Sequence, residues 1–193
     1  MYCRYVHYLW SFCVRQTLSF AALKSLYNAL IVPHLNYGVK LWYPSSNSVF
    51  VMQKRAIRVI TSKKFFHHTS GLFKEHNLLK LPDLYKIHCL KLYFKIENNL
   101  CPNYIRSLLV HNYNIHDHNT RHRNDVQPTE IRSKWLRHSL PDLILETPDE
   151  LIALARNSSL QTFSRRLSHF FIDSYEAICV KETCMVCGRR ARD

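Results

Sequence analysis

The chain reads LKSLYNALIVPHLNYGVKLW from Leu23 to Trp42, and this stretch decides how the first third of the fold is built. Ser19 is suited to cap a helix that begins at the next residue. Pro33 disfavours helical geometry at the preceding residue, so the helix is expected to end or kink at Val32. A second short helix is then expected up to Tyr43. Apolar residues recur at helical spacing along the first of these helices, at Leu18, Ala22, Leu26, Ala29 and Leu30.

The rest of the chain also shows helical periodicity. A second amphipathic helix is predicted from Val49 to Thr61. Thr69 is expected to cap a short helix, and the longest helix is expected to begin at Pro82 and to end at Asn99. A last amphipathic helix is predicted over residues 158–174. The second helix has a predicted buried stripe of Val49, Met52, Ala56 and Ile60.

The predicted fold is therefore mainly α. A helical bundle is expected over residues 15–110, followed by a basic, His/Arg-rich loop or arm over residues 111–140. A C-terminal helical region is expected over residues 141–178, and a basic tail that contains cysteines over residues 179–193. Only 3 glycines and 7 prolines in 193 residues disfavour a turn-rich all-β fold.

The charge of the chain points to a polyanionic partner. Lys and Arg number 27 against 14 Asp and Glu, which gives a net charge of +13 and a pI near 9.6. Nucleic acid is the simplest partner of such a chain, and a soluble protein that is merely basic is the alternative. The 7 cysteines form no regular framework, which is typical of a reducing compartment, nuclear or cytoplasmic. We find no targeting signal and expect no membrane association.

Five blocks of sequence carry a family resemblance. They are LKSLYNALIVPHLNYGVKLW from Leu23, MQKRAIRVIT from Met52, HTSGLFKE from His68, LLKLPDLY from Leu78 and HNTR from His118. In this order they resemble the region downstream of the active site in reverse transcriptases of non-LTR (LINE-type, jockey-like) retrotransposons. The resemblance covers about residues 15–125 and implies a thumb-like bundle over residues 15–110. Residues 1–14 are then expected to be a truncated or non-family start.

The same resemblance sets an expectation about catalysis. Such RNA-directed DNA polymerases hold two divalent metal ions with an aromatic-Ala-Asp-Asp box. This sequence contains no Asp-Asp pair, so the fingers and palm are expected to be missing. We expect no catalytic residues, no cofactor and no polymerase activity from this chain alone, since ligands for Mg²⁺ are absent.

The resemblance also implies which residues bind nucleic acid. A thumb lays a basic helix along the RNA or DNA template-primer, where phosphate contacts need charge and reach but read no bases. The alternative for this helix is a solvated face opposite a core stripe. The basic box near residue 121 is the second candidate region. The predicted contacts are Lys54, Arg55, Arg58, Lys63, Lys64, Arg121 and Arg123.

Three other groups have competing interpretations. A zinc site is conceivable in the His-rich run His111–His122, or among Cys179, Cys184 and Cys187 with His169. No metal site is predicted, because the first run is irregular and the second lacks an obvious fourth ligand. Tyr37, Trp42 and Tyr43 are interpreted as core residues rather than as platforms for bases.

The sequence allows two interpretations besides the binding of nucleic acid. The chain is expected to be a fragment that binds template-primer, and a helical protein-interaction module is the alternative. In that case its exposed faces would dock on the palm domain or on a host protein. A retroelement remnant without a retained role is the third interpretation.

Overall fold

The structure is a computed structural model that describes residues 18–43, 47–107, 109, 112, 115, 118 and 140–176. The fold is mainly α, as predicted, and no strand occurs within these ranges. The predicted loop or arm over residues 111–140 and the tail over residues 179–193 lie almost wholly outside the described residues.

The first helical segment begins where the sequence predicts. Helix α1 spans Phe20–Leu26, and the Ser19 side chain accepts a hydrogen bond from the Ala22 N–H at 3.4 Å. A π-helical segment, Tyr27–Ile31, follows directly, and helix α2 spans Val32–Asn36. The chain therefore stays helical through Pro33. The helix does not end at Val32, but its α-helical hydrogen-bond pattern is interrupted directly before that residue.

The π-helical segment accounts for this continuity. A proline in a helix lacks an N–H donor, and its ring clashes with the carbonyl four residues earlier. A π turn carries an additional residue, which shifts the carbonyls that precede Pro33. The Val32 N–H bonds to the Tyr27 carbonyl in the i to i+5 pattern, while Val32 itself keeps helical angles. Pro33 is the second residue of α2, so its missing N–H falls directly after the π turn, where the α-helical hydrogen-bond pattern is already interrupted.

Gly38 separates α2 from helix α3, Val39–Trp42. Its φ of 60° is in the left-handed region, which glycine adopts without strain. The turn leaves Tyr37 outside the core with 84% of its surface exposed, so its interpretation as a core residue is wrong. The Trp42 indole N–H donates to the Tyr37 carbonyl at 2.7 Å, and Trp42 and Tyr43 are half-buried.

Three helices follow in the order predicted. Helix α4 spans Asn47–Ile60, α5 spans Ser70–Glu75 and α6 spans Leu81–Glu97. Thr69 occupies the N-cap position of α5, but its side chain makes no capping hydrogen bond. The Ser70 N–H is bonded instead to Nδ1 of His68 at 3.2 Å.

Each of these three helices ends in a Schellman motif without glycine. Ser62, Asn77 and Asn99 have φ values of 55°, 52° and 56°, in the left-handed region. At the end of α6, the Asn99 N–H donates to the Ile96 carbonyl and the Leu100 N–H to the Lys95 carbonyl. Asn is the residue that most often replaces glycine at this position. The predicted end of the longest helix at Asn98-Asn99 is therefore confirmed.

The remaining helices lie after residue 100. Helix α7 spans Asn103–Arg106, α8 spans Leu140–Leu145, α9 spans Asp149–Asn157 and α10 spans Leu160–Asp173. The last of these confirms the predicted amphipathic helix. Its residues Phe163, Leu167 and Phe171 are buried, and Arg165, Arg166 and His169 are exposed.

The chain divides into two compact units, and the described residues of the first are 18–43, 47–84 and 171–176. Its core joins the first helical segment, α4 and α5 to the C-terminal end of the described chain. The buried members are Leu23, Tyr27, Ile57, Ile60, Leu72, Phe73, Leu78 and Tyr175. Tyr175 is held by hydrogen bonds as well, since its hydroxyl donates to Asp83 at 2.5 Å and accepts from the Lys80 N–H at 3.1 Å.

The described residues of the second unit are 85–107, 109, 112, 115, 118 and 140–170. The ring of Phe94 on α6 stacks on that of Phe163 on α10, with centroids 5.4 Å apart. The Asn98 side chain donates to the Phe94 carbonyl at 2.9 Å and to the Ala155 carbonyl at 2.8 Å. An ion pair at 3.1 Å joins Arg156 to Glu97. Helices α6, α9 and α10 are thus joined by both apolar and polar contacts.

We expect Tyr175 to contribute stability that is complete below pH 10 and is lost as the pH rises further. Burial, and then the charge of Asp83, raise the pKa of its hydroxyl above the ordinary value of 10.0. Above pH 10 the unfolded chain ionises while the folded chain does not, which favours unfolding. Tyr175→Phe should therefore flatten the alkaline decline of the urea midpoint, measured between about pH 8 and about pH 11.

The comparison with Tyr175→Phe isolates this effect from other groups. Burial lowers the pKa values of Lys80 and Lys91, so these lysines contribute with the opposite sign over a similar range. Tyr104 is exposed, and Tyr104→Phe is the matched control. Parallel pH profiles for the wild type and Tyr175→Phe would contradict the assignment.

Candidate nucleic-acid interface

Helix α4 carries three of the predicted contacts, and its orientation is set by its buried side. Gln53, Ile57 and Ile60 are the buried residues of this helix. Of the predicted stripe, only Ile60 is fully buried, while Val49, Met52 and Ala56 are half-buried. The buried face lies one residue away from the predicted stripe, which consisted of apolar residues alone and did not include the polar Gln53.

Gln53 is 1% exposed and fixes the rotation of α4 about its axis. Its amide nitrogen donates to the Tyr27 hydroxyl at 3.0 Å and to the Leu79 carbonyl at 2.9 Å. Its amide oxygen accepts from the Leu81 N–H at 2.9 Å. Bonds in three directions allow one orientation of the side chain, so the opposite face of α4 is held outward.

Arg55 lies on that outward face. It is exposed, and its guanidinium carbon lies 5.6 Å from the ring centroid of Phe65 in the loop after the helix. A guanidinium above an aromatic ring is held by a cation–π interaction while its N–H donors stay available to other groups. The contact places a cation of the helix beside the loop.

Arg58 is hydrogen-bonded to the same loop. Its Nε–H donates to the His67 carbonyl at 2.6 Å, and the side chain is half-buried. Burial, and then repulsion by Arg55, lower the pKa of the guanidinium below its ordinary value. An arginine remains charged at neutral pH despite such a shift. Arg58 therefore has a structural role in addition to any contact with phosphate.

Lys63 is part of the Schellman motif that ends α4, and Lys64 follows it directly. The Ser62 N–H donates to the Val59 carbonyl at 3.2 Å, and the Lys63 N–H to the Arg58 carbonyl at 2.9 Å. Both lysines are exposed. The motif ties the backbone of Lys63 to the helix, and Lys64 is the next residue, so both cations lie close to the end of α4.

Lys54 is directed differently from the other cations. Its ammonium lies 4.1 Å from the ring centroid of Phe50, one turn earlier in α4, and the side chain is half-buried. Of the five contacts predicted on and after α4, Arg55, Lys63 and Lys64 are exposed. Lys54 and Arg58 are partly used within the protein.

The remaining candidates are distributed as follows. Arg121 and Arg123 lie outside the described residues, as do Cys179, Cys184 and Cys187. His169 is exposed on α10. Within the part of the chain that the structure describes, no group of three or more His, Cys, Asp or Glu side chains could hold a metal ion. No helix in those ranges is long and apolar enough to cross a bilayer.

Sequence reasoning missed two features of this surface. Phe65 and Phe66, directly after the lysines, are 58% and 66% exposed. An aromatic pair in a polar loop between Lys63-Lys64 and His67-His68 is the signal that could have revealed them. The second feature is charge, because no Asp or Glu occurs in the sequence before Glu75. The cations of α4 and its loop thus have no carboxylate among their neighbours in sequence.

We define the basic loop surface as Arg55, Lys63, Lys64, Phe65 and Phe66. No protein-family model, curated protein or solved structure matches this chain. The resemblance to non-LTR reverse transcriptases therefore stays a prediction from sequence, and the basic loop surface is an observation independent of it.

Proposed function

We propose that the basic loop surface binds the phosphate backbone of a nucleic-acid duplex. The single observation that carries the proposal is three exposed cations, Arg55, Lys63 and Lys64, on one rigid helix and the loop that is bonded to it. Phosphate contacts depend on such charge and reach rather than on a shaped pocket. The net charge of +13 supports the same class of partner.

The sequence resemblance supplies a context for this activity. We propose that the chain corresponds to the thumb and connecting region of a non-LTR retrotransposon reverse transcriptase. In that context the surface would hold an RNA–DNA template-primer without reading its sequence, while chemistry is carried out elsewhere. The proposal requires no catalysis by this chain.

The test is the salt dependence of binding to an RNA–DNA hybrid. The variant Arg55→Gln, Lys63→Gln, Lys64→Gln should reduce the slope of log K against log salt concentration by about two to three, close to 0.9 per phosphate contact. Arg58 is left intact because its bond to the His67 carbonyl supports the loop. Fluorescence anisotropy over a series of salt concentrations provides the measurement.

A charge-matched control separates the contribution of a local surface to binding from that of the net charge. Three other cations, Lys40, Lys95 and Arg106, are also exposed. The control variant Lys40→Gln, Lys95→Gln, Arg106→Gln removes an equal number of positive charges outside the basic loop surface. We expect the control to change the slope by less than about one. Equal changes in both triple variants, or none in the first, would refute a specific basic loop surface.

The protein-interaction alternative has an observation of its own. Tyr37 and Leu41 are the most exposed of the large apolar side chains within the described residues. If the chain docks on a protein, these two side chains are the candidates for the apolar part of the contact. Salt-insensitive association with a protein, together with no affinity for the hybrid, would favour that alternative.

A further inference from the structure

The exposed aromatic pair Phe65 and Phe66 is not explained by phosphate binding. The two rings meet edge to face, with centroids 5.0 Å apart. Both remain more than half exposed, although large apolar side chains are usually withdrawn from water. Backbone contacts with a duplex would not use them, since the bases of a duplex are stacked on one another.

The surroundings of the pair are positively charged. The guanidinium of Arg55 lies over the Phe65 ring, and Lys63 and Lys64 directly precede the pair in the sequence. Proteins that bind single strands combine cations that follow the backbone with aromatic rings on which bases stack. Arg55 adds a second planar surface, because a guanidinium also stacks on bases.

We propose that Phe65 and Phe66 form a stacking platform for unpaired bases of single-stranded RNA or DNA. The inference rests on the proposed function, because Lys63, Lys64 and Arg55 would hold the phosphates that flank those bases. Stacking is possible with every base, so the platform selects unpaired over paired nucleotides and reads no sequence. On a template-primer, the corresponding ligand is the single-stranded template beyond the duplex.

A lipid surface is the competing partner for an exposed Lys-Lys-Phe-Phe segment. Insertion of Phe65 into a bilayer would carry the guanidinium of Arg55 toward the hydrocarbon, since the two groups are in contact. Removing a charge from water in this way is costly. The same contact favours a nucleic acid, whose phosphates pair with the guanidinium while its bases stack beside it.

The experiment compares three ligands with two double variants. The ligands are a single-stranded oligonucleotide of about 16 nucleotides, an abasic oligonucleotide of the same length and charge, and vesicles rich in phosphatidylserine. Phe65→Ala, Phe66→Ala removes the rings, whereas Phe65→Leu, Phe66→Leu keeps apolar side chains without aromatic faces. Equal urea midpoints for the three proteins confirm folding, as expected for exposed positions.

We expect both double variants to bind the base-containing strand about 10-fold more weakly than the wild type. Their affinity for the abasic strand should be unchanged, because phosphate contacts remain. Wild-type affinity of both variants for the base-containing strand would overturn the platform while leaving phosphate binding intact. Vesicle binding that is lost in the alanine variant and kept in the leucine variant, with unchanged affinity for the strand, would assign the pair to a membrane. Failure of the wild type to bind either strand or the hybrid would overturn the proposed function together with this inference.

Discussion

Gln53→Leu is expected to lower the free energy of unfolding by about 3–5 kcal/mol. Leucine has a similar volume, so the core loses little packing. It cannot replace the hydrogen bonds to the Tyr27 hydroxyl, the Leu79 carbonyl and the Leu81 N–H. A buried polar group without a partner costs about 1–3 kcal/mol. This change leaves two such groups, the Tyr27 hydroxyl and the Leu81 N–H, together with the partly buried Leu79 carbonyl. Urea denaturation followed by circular dichroism measures the loss.

Two further variants sharpen this test. Gln161 is exposed on α10, so Gln161→Leu makes the same chemical change and should shift stability by less than about 0.5 kcal/mol. Tyr27→Phe removes the Tyr27 hydroxyl, which is one of the three groups that Gln53→Leu leaves without their hydrogen bond. The double variant Gln53→Leu, Tyr27→Phe should therefore lose less stability than the sum of the single variants. Strict additivity, or a harmless Gln53→Leu, would show that Gln53 does not organise this core.

The role of Gln53 connects the core to the candidate interface. A helix packed only by apolar side chains can rotate by a fraction of a turn at modest cost, because dispersion contacts have little direction. Hydrogen bonds to groups in three directions allow no such adjustment. The position of Arg55 over the Phe65 ring, and with it the basic loop surface, depends on this fixed rotation.

Periodicity and terminal signals were sufficient to predict most of the helices. Ser19 as an N-cap, Asn98-Asn99 at the end of α6 and the amphipathic helix after Ser158 are local features, because each depends on residues within a few positions. The π-helical segment before Pro33 is not local in that sense. Continuing the helix keeps Tyr27 in the core on one side of the proline and Leu35 buried on the other.

The candidate interface was only partly predictable for a related reason. The sequence identifies Lys54, Arg55, Arg58, Lys63 and Lys64 as a basic cluster, but not how each cation is used. Arg58 bonds to a backbone carbonyl nine residues away and Lys54 lies over Phe50. Such uses depend on where the loop returns to the helix. Tyr37 was assigned to the core but is exposed, because the turn at Gly38 directs its side chain away from the core.

Phe163→Ala is expected to destabilise the second unit by about 3–5 kcal/mol. Phe163 is fully buried, and its ring stacks on Phe94 of α6 at 5.4 Å. Alanine would leave a cavity beneath α10 that the adjoining helices cannot fill, and it would remove the aromatic pair. Loss of helical circular dichroism at a lower urea concentration is the expected result.

Phe170 on the same helix provides the control. Helical spacing places Phe163 and Phe170, seven residues apart, on one face of the amphipathic helix, yet Phe170 is 38% exposed. Phe170→Ala should therefore destabilise the second unit less than Phe163→Ala does, because Phe170 buries less apolar surface. Phe163→Leu should lie between the two alanine variants, because it keeps most of the apolar volume but not the stacked ring. Equal losses at positions 163 and 170 would mean that the whole apolar face of α10 is buried, against the orientation that the structure gives this helix.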